Sequence, residues 1–253
     1  MKLDLSDKKI LITGVNGQLG QGLAKALLGA GAFVYLTDLA PKIDKKFAEY
    51  LKNNRLDNWR YIKMDIVSER SLERADKLIG SPLDALINNA GLGVFTPFEE
   101  RTAEELDRVT SVNLKGTILC SKVFSRRMVK AKRGKFINIG SVYGVVSSDK
   151  RIYGDSGRNN SEIYSATKAG VIHFSKYLAV YLAERNIQVN AISPGGIFNN
   201  QKDFFVKNYI FRTPLGRMAK VDDFSGLVCF LCSELSDYIT GQNIIVDGGF
   251  SSW

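Results

Sequence analysis

Seven short runs of β-branched and aromatic residues, most of them separated by helix-length gaps, constrain this chain more than any other feature. They are Ile10 to Thr13, Phe33 to Thr37, Arg60 to Met64, Ala85 to Asn88, Lys135 to Ile139, Val189 to Ile192 and Ile244 to Val246. Such runs predict buried strands, and helix-length gaps predict crossovers between parallel neighbours. Right-handed β-α-β units then cover both faces of one sheet, giving a three-layer, doubly wound α/β fold with a seven-stranded parallel sheet. Gly29 or Gly31 is placed to stop the first helix before Phe33, where a left-handed cap needs a residue without a side chain.

The 253 residues suit one domain spanning 1–253, and 45% hydrophobic content is enough for a sizeable core. Nothing resembles a repeat, a linker or a low-complexity tract. No apolar stretch is long enough to span a bilayer, and the opening MKLDLSDKK is too polar for a signal peptide, so a cytoplasmic protein without membrane partners is expected. Cys229 and Cys232 have C-x-x-C spacing, but they lie in an apolar run without a second ligand pair, so burial rather than metal binding is expected. The net charge of +9 clusters locally, at Lys42, Lys45 and Lys46 and from Arg126 to Arg133, without any nucleic-acid motif. Solvated helix faces account for it, nucleic acid is not an expected partner, and an anionic substrate is compatible with it.

Ligands of open α/β sheets bind beyond the carboxyl ends of the strands. The first run ends in Thr13-Gly14-Val15-Asn16-Gly17-Gln18-Leu19-Gly20, with a helical pattern following at once. Glycines there let backbone approach a pyrophosphate, and the helix N-terminus offers free N–H groups. Asp38 closes the second run near the spacing at which a carboxylate meets an adenosine ribose. It would repel a 2′-phosphate, which favours NAD over NADP; nearby Lys42 opposes this, and a helix-capping role for Asp38 is the alternative.

In Thr13 to Gly20, Asp65, Asn88-Asn89-Ala90-Gly91, Asn113, Ser141, Tyr164-Ser165-Ala166-Thr167-Lys168, Pro194-Gly195 and Val246-Asp247-Gly248-Gly249, the sequence resembles the short-chain dehydrogenase/reductase family over nearly its whole length. The resemblance implies a Rossmann fold, an NAD(P)-dependent oxidoreductase acting on CH–OH or carbonyl groups, and a homotetramer or homodimer. It implies catalytic roles for Asn113, Ser141, Tyr164 and Lys168. It also implies cofactor contacts at Gly14, Asn16, Gly17, Gln18, Leu19, Gly20, Asp38, Asp65, Ile66, Asn89, Ala90, Gly91, Tyr164, Lys168, Pro194, Gly195 and Ile197. Asp65 would accept from the adenine amino group, Asn88 and Gly91 would shape the wall beside the adenosine, and Asn113 would hold a water in a proton relay. Turn, cap or kink roles are the alternatives for these residues.

Two departures from the family pattern stand out. Gln18 occupies the place of the usual middle glycine, and the stretch from Ser141 to Tyr164 is roughly ten residues longer than usual.

A Tyr-x-x-x-Lys pair places phenol and ammonium on one helix face. A free phenol, with a pKa of about 10, is a poor base at neutral pH, so a cation such as Lys168 must help by stabilising phenolate. Ser141 follows a strand, at the ligand edge, where its hydroxyl could hold the substrate oxygen. His173, the one histidine, falls on the Tyr164 helix and is expected to be packed or exposed rather than catalytic.

The segments expected to wall the substrate, about 145–163 and 196–213, mix aromatics with Asp149, Lys150, Arg151, Tyr153, Asp155 and Arg158. Such walls favour a small polar substrate, a sugar or sugar-phosphate derivative, over a long acyl chain. The alternatives are a 3-oxoacyl-carrier-protein reductase and a non-catalytic NAD-binding sensor.

Overall fold

A computed structural model describes residues 3–154, 156 and 158–253. The strands are β1 (Lys9–Thr13), β2 (Phe33–Asp38), β3 (Trp59–Lys63), β4 (Ala85–Asn88), β5 (Gly134–Ile139), β6 (Ile187–Pro194) and β7 (Asn243–Val246). All neighbours pair in parallel in the order β3-β2-β1-β4-β5-β6-β7. Strand ends shift where pairing demands it. β3 starts at Trp59 because Trp59 registers with Val34, and β6 reaches Pro194 because β7 pairs along its carboxyl end.

The helices are α1 (Gln18–Gly29), α2 (Lys45–Asn53), α3 (Glu69–Ile79), α4 (Ala103–Thr110), α5 (Thr117–Ala131), α6 (Lys150–Tyr153), α7 (Glu162–Leu182), α8 (Asp203–Phe211) and α9 (Ser225–Cys232). Alternation along the strands sorts the core into two layers. Ile10, Ile12, Val34 and Ile137 pack with α1 and α9, whereas Leu11, Tyr35, Leu86 and Phe136 pack with α3, α5 and the end of α7. α1 runs through Gly29, and the left-handed residue after it is Gly31, at φ 94°.

The chain travels outwards from β1 to β3 and then returns to place β4 beside β1. Loops after β1 and β4 therefore diverge to opposite faces, opening a crevice at the carboxyl edge. Cys229 and Cys232 are buried in α9, consistent with packing. No helix among the described residues is long and apolar enough to cross a membrane.

Candidate active site

The loops after β1 and β4 are stapled together below the crevice. Thr13 Oγ1 accepts from the backbone N–H groups of Asn89 and Ala90, both at 3.0 Å, while Asn89 Nδ2 donates to the carbonyls of Thr13 and Gly14. Gly14, at φ 68°, lies so close to Ala90 that a Cβ on it would stand 2.7 Å from the Ala90 Cα. A Cβ on Gly20 would stand 2.4 Å from the Gly14 carbonyl oxygen, so these two glycines are demanded by packing. Gly17 differs: its Cβ would meet only the Gly14 carbonyl, at 3.4 Å, and the rest of its space opens to the crevice at the start of α1.

Asn16 holds this loop from outside. Its side chain donates to the Lys42 carbonyl and accepts from the Asp44 N–H, and its own N–H donates to Asp38 Oδ2 at 3.0 Å. Asp38 Oδ1 accepts from the Ala40 N–H. The carboxylate is thus oriented by backbone on both oxygens, with lone pairs left towards the crevice. Gln18 Nε2 donates to the Phe198 carbonyl at 2.7 Å, a bond from the glycine loop to the chain after β6 that a glycine could not make.

A cleft of about 680 Å³ runs from Asp38 to Tyr164. Its walls include Gly14, Gly17, Gln18, Leu19, Gly20, Asp38, Asp65, Ile66, Asn89, Ala90, Gly91, Ser141, Tyr164, Lys168, Pro194, Gly195 and Ile197. Of the residues expected at the site, Asn16 and Asn113 stand behind this surface. Asn88 lies in the core, its amide donating to Asn138 and Ser121 between strands, rather than beside the crevice. Asp65 turns one carboxylate oxygen to the Val67 N–H.

At the other end, Ser141 caps a short turn, accepting from the Tyr143 N–H at 3.1 Å. Buried Ser161 caps α7 by accepting from the Tyr164 N–H, which fixes Tyr164 in the first helical turn. Lys168, one turn on, is buried and donates to the Ile139 carbonyl at 2.7 Å. Burial lowers its pKa to about 8. Burial also raises the Tyr164 phenol above its ordinary range, opposed only by the Ser141 hydroxyl. Burial thus biases both groups towards their neutral forms.

Asn113 lies in a π-helical turn, Ser111–Gly116, that joins α4 to α5. Its side chain accepts from the Leu92 N–H and donates to the Leu92 carbonyl and to Thr167 Oγ1; its carbonyl accepts from Thr117 Oγ1. It is a kink residue bracing the loop after β4 against α7. Gly91 sits between its amide and Lys168, since a Cβ there would be 3.3 Å from both.

Among the expected substrate-wall residues, Tyr153 reaches the cleft, whereas Asp149 is consumed by Arg151 and Arg212. Asp155 lies outside the described residues. Of residues 199–212, none lines the cleft; Tyr209 contributes indirectly, its hydroxyl accepting from the Gly196 N–H. Asn199 and His173 are exposed away from it. Asn160 and Gly196 line the cleft from the expected wall segments, and Phe95 and Tyr143 join them although no local motif points to these two.

A family model described as enoyl-(acyl carrier protein) reductase matches residues 14–251. The chain belongs to the short-chain dehydrogenase/reductase family. It is therefore an oxidoreductase acting on CH–OH or carbonyl groups with a nicotinamide cofactor. It is 35% identical, over 98% of its length and 99% of the relative's, to a 3-oxoacyl-[acyl-carrier-protein] reductase of Aquifex aeolicus. A short-chain dehydrogenase of Leptospira borgpetersenii with bound NAD+ is 44% identical and superposes with a TM-score of 0.88, covering 98% of this chain and 94% of that one. A gluconate 5-dehydrogenase of Burkholderia cenocepacia, in complex with NADP and tartrate, is 26% identical with a TM-score of 0.88, covering 100% and 98%.

Proposed function

We propose that the chain interconverts a hydroxyl and a carbonyl on a small polar substrate, a sugar or sugar-phosphate derivative, with NAD rather than NADP, and that residues 1–253 act as one domain. The observation that carries this is the convergence of Ser141, Tyr164 and Lys168 on one cleft whose far end is Asp38. The cleft fits a dinucleotide: Gly17 leaves open space at a helix N-terminus, and the oriented Asp38 carboxylate keeps acceptor capacity for ribose hydroxyls. Gly14, Leu19, Asp65, Ile66, Ala90, Pro194, Gly195 and Ile197 complete its walls.

Nicotinamide, when bound, supplies the hydride acceptor or donor. Tyr164 takes the hydroxyl proton during oxidation and returns it during reduction, and the Lys168 ammonium favours its phenolate. Ser141 holds the substrate oxygen and stabilises the developing alkoxide. Asn113 keeps Leu92, Thr167 and hence Tyr164 in place, and its place beside Lys168 suits the water relay.

Absorbance of NADH, followed during incubation with NAD and a panel of amino sugars, sugar phosphates and nucleotide sugars, tests the reading. Production from one of these at a rate above that with carrier-bound 3-oxoacyl substrate and NADPH supports it. A 3-oxoacyl-carrier-protein reductase is the second reading, favoured by the end-to-end similarity to the Aquifex enzyme. Against it stand the polar Tyr153 and Asn160 at the cleft wall.

The exposed faces of Tyr177, Val180 and Tyr181 on α7 support a homotetramer or homodimer.

A further inference from the structure

The arginines of the segments expected to wall the substrate do not spend their charge alike. Arg151 and Arg212 both pair with Asp149, and that pairing ties the segment after Ser141 to the end of α8. Asn208 Nδ2 reinforces the tie by donating to the Arg151 carbonyl at 3.3 Å. Arg158 pairs with no carboxylate among the described residues. Its guanidinium lies over the Phe95 ring, 4.0 Å from the centroid, and Phe95 lines the cleft.

Tyr153 is a second aromatic wall of the same cleft. Its ring is buried and packed at 5.2 Å from Phe205, so its position is rigid, while it still lines the cleft. Burial raises the Tyr153 phenol, and the Tyr143 hydroxyl and then the Arg158 charge act against that rise.

We propose that Arg158 and Tyr153 form an anion-recognising subsite at the mouth of the reaction cleft, taking a phosphate or carboxylate substituent of the substrate. A guanidinium over an aromatic face can still offer N–H groups to an oxyanion, and its planar fork suits bidentate ones. The phenol adds a second donor, and the positive charge of the whole chain draws anions towards the mouth. The segment that is long for the family thereby acquires a use: it carries Tyr153 into the cleft wall and Arg158 onto the ring of Phe95. This subsite deepens the proposed reading of the cleft as the place where a polar substrate reacts.

Calorimetric titration of glucose, glucose 6-phosphate and gluconate into the full chain, free and saturated with NADH, tests it. Glucose 6-phosphate or gluconate should bind at least about tenfold more tightly than glucose, as a charge-assisted contact implies. Arg158→Gln should erase the preference, Arg158→Lys should keep part of it, and Tyr153→Phe should reduce it, all with NADH affinity unchanged. Equal binding of charged and neutral probes, absence of binding by both charged probes, or a preference that survives Arg158→Gln overturns the subsite. Displacement of NADH by the charged probe also overturns it, because the anion would then sit in the cofactor's phosphate site. A chain that fails to bind NADH yet keeps an Arg158-dependent preference overturns the dehydrogenase reading and leaves the subsite standing.

Discussion

Lys168 Nζ lies 5.7 Å from the centre of the Tyr164 ring, one turn along α7, and both groups are driven by burial towards their neutral forms. The ammonium is held by the Ile139 carbonyl, at the end of β5, so a central strand fixes its distance from the phenol. Tyr164→Phe should lower turnover by about 10²- to 10⁴-fold with NAD affinity nearly intact. Lys168→Ala should damage both turnover and cofactor binding, and its oxidation rate should need higher pH, because a cation favouring phenolate is gone. Ser141→Ala should cost about 2.7 to 4 kcal/mol in the chemical step. Steady-state rates and NAD titrations on a verified substrate check all three, and near wild-type oxidation by Tyr164→Phe would end this mechanism.

Lys168 also has a signature in stability. Its folded pKa is about 8 against 10.5 for an unperturbed lysine. Between those values the unfolded chain holds a proton that the folded chain has released, so stability from this group rises with pH through that window. Below pH 8 the full penalty of burying the ammonium applies. Lys168→Met should therefore be more stable than wild type at pH 7, by an amount up to the order of 3 kcal/mol, and the gain should shrink towards pH 10.5. Urea melts of both proteins across this range, without cofactor, measure it; a gain that grows with pH contradicts the assignment.

The glycines of the loop after β1 should separate into two kinds. Gly20→Ala forces a Cβ against the Gly14 carbonyl and should unfold the protein several degrees earlier. Gly17→Ala meets no such obstacle and should melt like wild type while losing most of its NAD affinity, since the new methyl points into the crevice. Thermal melts paired with cofactor titrations distinguish them, and equal effects of both substitutions on melting would refute the distinction.

Asp38 should decide cofactor choice. NAD should bind more tightly than NADP, and Asp38→Ala should narrow the gap by removing repulsion of the 2′-phosphate. Because Asp38 also accepts from the Asn16 N–H, NAD affinity itself should fall. Asn16→Ala should weaken both cofactors alike, as its side chain braces Lys42 and Asp44 rather than the cleft. Stronger NADP binding by the wild type would assign control of the pocket to Lys42.

Tyr177 and Tyr181 stack on the exposed side of α7, with ring centroids 6.0 Å apart, close to Val180, which is 80% exposed. Light scattering should give a dimer or tetramer at micromolar concentration, and Val180→Glu should lower the mass. A strictly monomeric wild type would leave this face without the proposed role.

Strands such as Ala85 to Asn88 were legible because burial on both faces leaves a short apolar run, and Gly14 and Gly20 because a tight approach of backbones tolerates nothing larger. The Tyr164 and Lys168 pairing was legible for a similar reason: one helical turn is a local geometry, fixed by residue spacing alone. Such features depend on neighbours along the chain, and a sequence states them directly.

Contacts made across the fold carry no comparable local mark. Asn88 and Asn89 are adjacent asparagines, yet strand alternation sends one into the core beside Asn138 and leaves the other to staple Thr13 and Gly14 below the crevice. Asp149, Arg151 and Arg158 read alike as polar wall residues, yet Asp149 pairs with Arg151 two residues on and with Arg212, 63 residues away, whereas Arg158 faces Phe95. Local patterning was enough to specify the strands, the glycine loop and the helix that bears Tyr164 and Lys168. Which charges found partners, which amides turned to the cleft and in which direction burial biases Tyr164 and Lys168 came from the folded arrangement, because desolvation and pairing depend on groups that folding brings together from distant points in the chain.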